Sequence, residues 1–224
     1  TYSNIIVKIK EVKNMIQSRL SVLMAERGLK ISDLYEETGI SKTTLMAIAE
    51  NTGKGVQFDT VDKLCNFLGV TPCEFFDYSP YIVETKKSNF SEGHIDGFEI
   101  KIKKQHYEKY FNIDMFVYSG DSYDIPLKKG EFAYYIALVL QESDHYTENE
   151  FYTFLSNMSI SFRTEFINKL ITKVKSQLKD LVTNKQSSEL ISGYTNIQFQ
   201  LNDYIALKLF PDSEFETLKK FRIK

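Results

Sequence analysis

The chain has two cysteines in 224 residues, Cys65 and Cys73, and this scarcity excludes two kinds of protein. A disulfide framework needs several pairs and a structural zinc site needs four ligands at close spacing, so both cysteines are read as small core residues. The three histidines, His94, His106 and His145, stand too far apart for a local metal-ligand set, and no cofactor or metal is expected. There is no run of eighteen apolar residues, and no basic-then-apolar leader with a small-residue cleavage site. No membrane partner is expected, and the expected location is cytoplasmic. A net charge of −2 leaves no polybasic excess for a membrane surface. No Walker loop or dinucleotide fingerprint occurs. Hydrophobic residues at 42% and aromatics at 14% are ample for a packed core, in one large or two ordinary domains.

Residues 29–51, LKISDLYEETGISKTTLMAIAEN, read as two short helices joined by a tight turn. Leu34 and Ile40 bracket Gly39, and Leu45 and Ile48 follow at helical spacing, so one apolar stripe crosses the turn. Gly39 stands where the first of these helices must end in a left-handed conformation, and Ser41 caps the next. This is a helix-turn-helix pattern. Before it, Met15–Arg27 reads as a first helix burying Ile16, Leu20, Leu23 and Met24, with Gly28 as its stop. After it, Gly53 and Gly55 flank Lys54 in a loop over residues 52–58. A fourth helix, capped by Asp59, buries Val61, Leu64, Cys65 and Leu68 and ends at Gly69. Thr71 caps a last short helix with Pro72 at its first position. Ser79-Pro80 marks the boundary between domains at 1–79 and 80–224. Upstream, NIIVKIKEV at residues 4–12 alternates apolar and basic side chains, which predicts a strand needing a partner in this chain or a second copy.

The stretches LSVLMAERGLKISDLYEETGIS at 20–41 and TVDKLCNFLGVTPCEFFDY at 60–78 resemble the Cro/phage-repressor (xenobiotic-response-element) class of helix-turn-helix domains. The resemblance covers residues 17–78 and implies a five-helix bundle whose third helix enters the major groove of double-stranded DNA. Ile31 stands where the family usually opens its second helix with a phosphate-gripping Gln, and Tyr35 where it usually has a small Ala. The family's base-reading positions fall on Lys42, Thr43, Met46 and Ala47. Lys42 can donate to guanine or a phosphate, Thr43 can hydrogen-bond or touch a thymine methyl, and Met46 and Ala47 offer apolar contact. With Ser41 and Thr44 beside them, and Lys30 and Lys54 at the ends of the central helices, these form the candidate DNA-binding set. Residues 1–79 carry nine basic side chains against ten acidic ones, so phosphate affinity has to come from placement rather than from excess.

The remainder reads as an α+β domain, mainly α with a small antiparallel sheet. IVET, GFEIKIKK and YFNIDMFVY are predicted strands. EFAYYIALVLQ is predicted to be a buried helix, Thr147 to cap ENEFYTFLSNM, and Ser161–Val182 to form the longest helix. The tail, with IQFQLNDYIALKLF and FETLKKFRI, is predicted helical and interrupted at Gly193 and Pro211. The stretch SGDSYDIPLKKGEF at 119–132 resembles the nucleophile region of self-cleaving phage and SOS repressors, with Ser122 as nucleophile. Activation there needs a deprotonated lysine some forty residues on. Beyond Lys128 and Lys129 in the motif itself, that interval is read as helical and lysine-free, with Arg163 and then Lys169 the first bases after it, and arginine stays protonated. A polar turn is the favoured reading, and no enzyme is expected. KIKKQHYEKYF at 101–111 interleaves lysines with aromatics as nucleic-acid surfaces do, which an alternating strand also produces by default.

Two functions follow. One is a homodimeric, repressor-like transcriptional regulator in which residues 81–224 dimerise or receive a signal or partner. The other is a phage or mobile-element protein-binding inhibitor, for instance of a bacterial defence nuclease, carrying a helix-turn-helix for self-regulation.

Overall fold

The computed structural model describes residues 15–88, 97–122, 126–128, 130–185, 188–189 and 196–224. The strand expected at 4–12, together with His94 and Gly193, lies outside them. The described chain divides into two compact units, one of residues up to 82 with 159–162, the other of residues from 83 to 158 and from 163 to 224.

The first unit runs β1 (Ile16–Ser18), α1 (Leu20–Glu26), α2 (Ile31–Thr38), α3 (Lys42–Ala49), α4 (Phe58–Leu68), α5 (Pro72–Phe75) and β2 (Phe76–Tyr78). Each helix delivers at least one wholly buried side chain to a single core: Leu20, Leu34, Leu45, Leu64 and Phe75 are all 0% exposed. Burying each such side chain contributes about 1.5–3 kcal/mol, which is what such short helices need to persist. Gly39 ends α2 at φ 70° and Gly69 ends α4 at φ 65°, both left-handed.

Three expectations change here. The first helix starts at Leu20, not Met15, because Ile16–Ser18 pairs antiparallel with Phe76–Tyr78, and Ile16 is 58% exposed rather than buried. The cap of α4 is Gln57, and Asp59 lies in its first turn, bonded to Lys63 at 2.8 Å. Cys65 is buried, but Cys73 sits on the outer side of α5 and is exposed.

The second unit is built on a six-stranded sheet of β3 (Ile82–Lys87), β4 (Phe98–Lys104), β5 (Tyr107–Ser119), β6 (Tyr134–Leu140), β9 (Tyr204–Leu209) and β10 (Thr217–Arg222), in the order β10-β9-β6-β5-β4-β3. Two further helices, α6 (Glu148–Ser156) and α7 (Ile160–Asn184), and a small ribbon of β7 (Ser188–Glu189) with β8 (Asn196–Ile197), lie between β6 and β9 in sequence. β6 and β9 run parallel, as a connection carrying two helices permits, while β4–β5, β5–β6 and β9–β10 are antiparallel. Phe98, Ile100 and Ile102 on β4 and Phe111, Ile113, Met115 and Val117 on β5 are buried at period two. On α7 the buried stripe is Phe162, Phe166, Leu170, Val174 and Leu178. Phe151 of α6 holds the rings of Phe111 and Phe210 at 5.2 and 5.4 Å.

The expectation of a small antiparallel sheet in a mainly α domain is therefore corrected: the sheet is large and mixed. EFAYYIALVLQ contains β6 rather than a helix. It lies mid-sheet, with Tyr135 and Ala137 buried in a cluster with Phe132 and Ala206, and Ile136 and Leu138, which alternate with them, also buried. An unbroken apolar run of this kind reads alike in a buried strand and a buried helix. The tail segments YIALKL and TLKKFR are β9 and β10, not helices. Among the described residues, no helix is long and apolar enough to cross a membrane.

Candidate nucleic-acid interface

The candidate set gathers around α3. Ser41 Oγ accepts the Thr44 N–H at 3.2 Å and lies 2.9 Å from Thr44 Oγ1, so these two hydroxyls are committed to starting the helix. Leu45 points into the core, which turns Thr43 and Met46 outward, and Lys42 is exposed as the first residue of α3; Met46 is 49% exposed and Ala47 half-buried. Tyr35 is not buried between α2 and α3. It lies 45% exposed, and the Lys42 Nζ stands 5.3 Å from its ring centroid.

Ile31, in place of a phosphate-gripping residue, packs against the core. Lys30 precedes α2 with its backbone N–H donating to Asp33 Oδ2 at 2.8 Å, leaving the side chain exposed. Lys54 projects from the exposed loop after α3 and lines a groove of about 480 Å³ with Ile16, Ile48, Val56 and Phe76. Among the described residues, Lys30, Lys42 and Lys54 make no ion pair, so their charge is available to a phosphate backbone.

A contact that local sequence does not announce closes the other end of α3. Asn51, just past the helix at φ 54°, accepts the Ser18 N–H through Oδ1 at 2.7 Å and donates through Nδ2 to the Ser18 carbonyl at 3.0 Å. The two residues are 33 positions apart. The one local hint is an asparagine at a helix C-terminus, where left-handed backbone is tolerated.

The lysine-aromatic hairpin at 101–111 is different. Lys101 pairs with Glu108 at 2.6 Å, Lys103 with Glu84 at 2.7 Å, and Lys109 with Glu150. The bond from Lys101, with a second from the Tyr110 hydroxyl, holds the Glu108 carboxyl below its ordinary value, and the same bond raises the Lys101 ammonium. These cations are already neutralised within the fold.

Ser122 lies in a turn after β5, its N–H donating to the Ser119 carbonyl at 3.0 Å, and the interval read as helical opens with strand β6 before helix α6. His106 and His145 are exposed, and among the described residues no three His, Cys, Asp or Glu side chains are grouped to hold a metal.

Residues 19–81 match the family of Cro/C1-type HTH DNA-binding domains, in agreement with the resemblance carried by residues 20–41 and 60–78. No curated protein and no solved structure matches the chain.

Proposed function

We propose that the chain is a sequence-specific, repressor-like transcriptional regulator that sets α3 in the major groove and works as a homodimer in the cytoplasm. The observation that carries this is the exposed Lys42–Thr43–Met46 face of α3, flanked by Lys30 and Lys54, with none of these lysines in an ion pair among the described residues, inside a match to a DNA-binding family. Lys42 and Thr43 read base edges, and Met46 and Ala47 meet thymine methyls. Lys30 and Lys54 contact phosphates, and Ser41 with Thr44 fixes the start of the reading helix. Residues 80–224 dimerise the protein or receive its signal, and the chain does no enzymatic work. The test is selection of duplex DNA from a randomised pool at physiological salt with full-length protein. A palindromic site is expected, and Lys42→Ala and Thr43→Ala should each weaken it by about 1–3 kcal/mol.

The exposure of Phe58 at 95%, with Ile16 and Met46, favours a second reading, a phage or mobile-element inhibitor that binds a protein such as a defence nuclease. Enrichment of no DNA sequence, with weak binding that disappears as salt rises, would select it over the first.

A further inference from the structure

β1 and β2 are the two ends of the DNA-binding unit, and they pair over only three residues. The Arg19 N–H donates to the Phe75 carbonyl at 2.8 Å and the Ser79 N–H to the Met15 carbonyl at 2.8 Å, so odd-numbered residues of this strand turn their polar groups toward β2. In an antiparallel pair the next residue turns its groups the other way, and both backbone groups of Ser18 therefore face the open edge of the ribbon. An isolated two-stranded ribbon is marginal in water. The Asn51 carboxamide occupies that edge as a neighbouring strand would, accepting from one Ser18 group and donating to the other.

Asn51 is also where α3 gives way to the Lys54 loop. Its own N–H donates to the Ile48 carbonyl at 3.2 Å, and the next residue's N–H donates to the Ala47 carbonyl at 3.0 Å. One side chain thus ties together the C-terminal end of α3, the start of the loop and the ribbon through which the chain leaves the unit. We infer that Asn51 is a positioning residue for sequence reading, which sets the seat of α3 through its two bonds to Ser18. The inference rests on the DNA-binding reading above. Base contacts need supporting groups that hold them to within about 0.5 Å, and Asn51 supplies that hold without touching DNA.

The test uses full-length wild type, Asn51→Gly and Asn51→Asp, each titrated with the selected operator and with a scrambled duplex of equal length. Glycine keeps the left-handed backbone and removes both bonds. Aspartate keeps the acceptor for the Ser18 N–H but sets a carboxylate against the Ser18 carbonyl. Both variants should bind the scrambled duplex within about two-fold of wild type, because phosphate contacts are unchanged. Both should lose about ten-fold in operator-to-scrambled ratio, the scale of one mismatched base pair. As pH falls toward the carboxylate range, Asn51→Asp should regain discrimination, since the protonated acid can donate to the Ser18 carbonyl, while Asn51→Gly should not. A role in stability alone would leave the operator-to-scrambled ratio of the folded protein at the wild-type value in both variants, and if Asn51→Gly fails to melt cooperatively the ratio for Asn51→Asp, taken where that variant melts cooperatively, decides. Wild-type discrimination in Asn51→Gly, or no rescue of Asn51→Asp, overturns the inference. A wild type that prefers no sequence brings down the DNA-binding reading first and this role with it, which its own titration shows before any variant is measured.

Discussion

The Lys42 ammonium lies 5.3 Å from the centre of the Tyr35 ring, so the first turn of α3 is tied to the exposed side of α2 by a cation–π contact. At a solvent-exposed site this is worth about 0.5–1 kcal/mol. If the contact holds Lys42 ready for DNA, Tyr35→Ala should lower operator affinity by about two- to five-fold, and Tyr35→Phe should leave it unchanged. Fluorescence anisotropy with labelled operator measures both.

Lys54 and Lys101 should behave oppositely toward salt. Lys54 is exposed and makes no ion pair among the described residues, so Lys54→Ala should weaken operator and scrambled duplex alike and reduce the log–log salt slope by about 1. The Lys101 charge is already taken by Glu108 at 2.6 Å, and Lys101→Ala should leave the slope as it is.

Helix α6 begins with a reciprocal cap. The Glu150 N–H donates to Thr147 Oγ1 at 3.3 Å, and the Thr147 N–H donates to Glu150 Oε2 at 2.8 Å. Thr147→Ala should cost about 1 kcal/mol in a urea melt. The Lys109 bond, followed by the Thr147 backbone bond, holds the Glu150 carboxyl below its ordinary value. Its stabilisation is therefore complete above the unfolded carboxyl's pKa, about 4.3, and is lost as pH falls through the lower folded value. Glu150→Gln should flatten the acid limb of the Tm–pH profile.

Asp114 on β5 has the opposite sign. Burial raises its carboxyl, so the folded state favours the protonated form and the ionised form costs stability at neutral pH. Asp114→Asn should melt above wild type at neutral pH, with the gap closing as pH falls toward about 4, where both states of Asp114 become protonated.

Two glycines separate backbone packing from an open loop. A Cβ on Gly120 would stand 1.7 Å from the Phe132 carbonyl oxygen, so Gly120→Ala should destabilise by at least about 1–3 kcal/mol. Gly55 has nothing within 4 Å of such a Cβ and no positive φ, and Gly55→Ala should stabilise by about 0.4–1 kcal/mol. Thermal melts of the two variants check this. The glycine of the Ser122 motif is thus accounted for by close backbone approach.

Sequence by itself determined whatever depends on neighbours within a turn of the chain. The left-handed stop at Gly39, the Ser41, Thr71 and Thr147 caps, and the buried stripe of α7 are local, because caps and the 3.6-residue period involve groups a few positions apart. The outward turn of Thr43 and Met46 follows in the same way from Leu45 pointing inward. Only the tertiary structure decided the rest. Residues 134–140 are a strand because β5 and β9 take their backbone groups on either side, and Ile16–Ser18 is a strand because β2 returns to it after five helices. No local pattern records a partner supplied from so far along the chain. Lys103 and Lys109 look free until Glu84 and Glu150 arrive from other elements, and Asn51 looks like a loop residue until Ser18 lies beside it. A side chain's type is written in the sequence, but the charge or bond it has left to offer is settled by what the fold places within 3 Å of it.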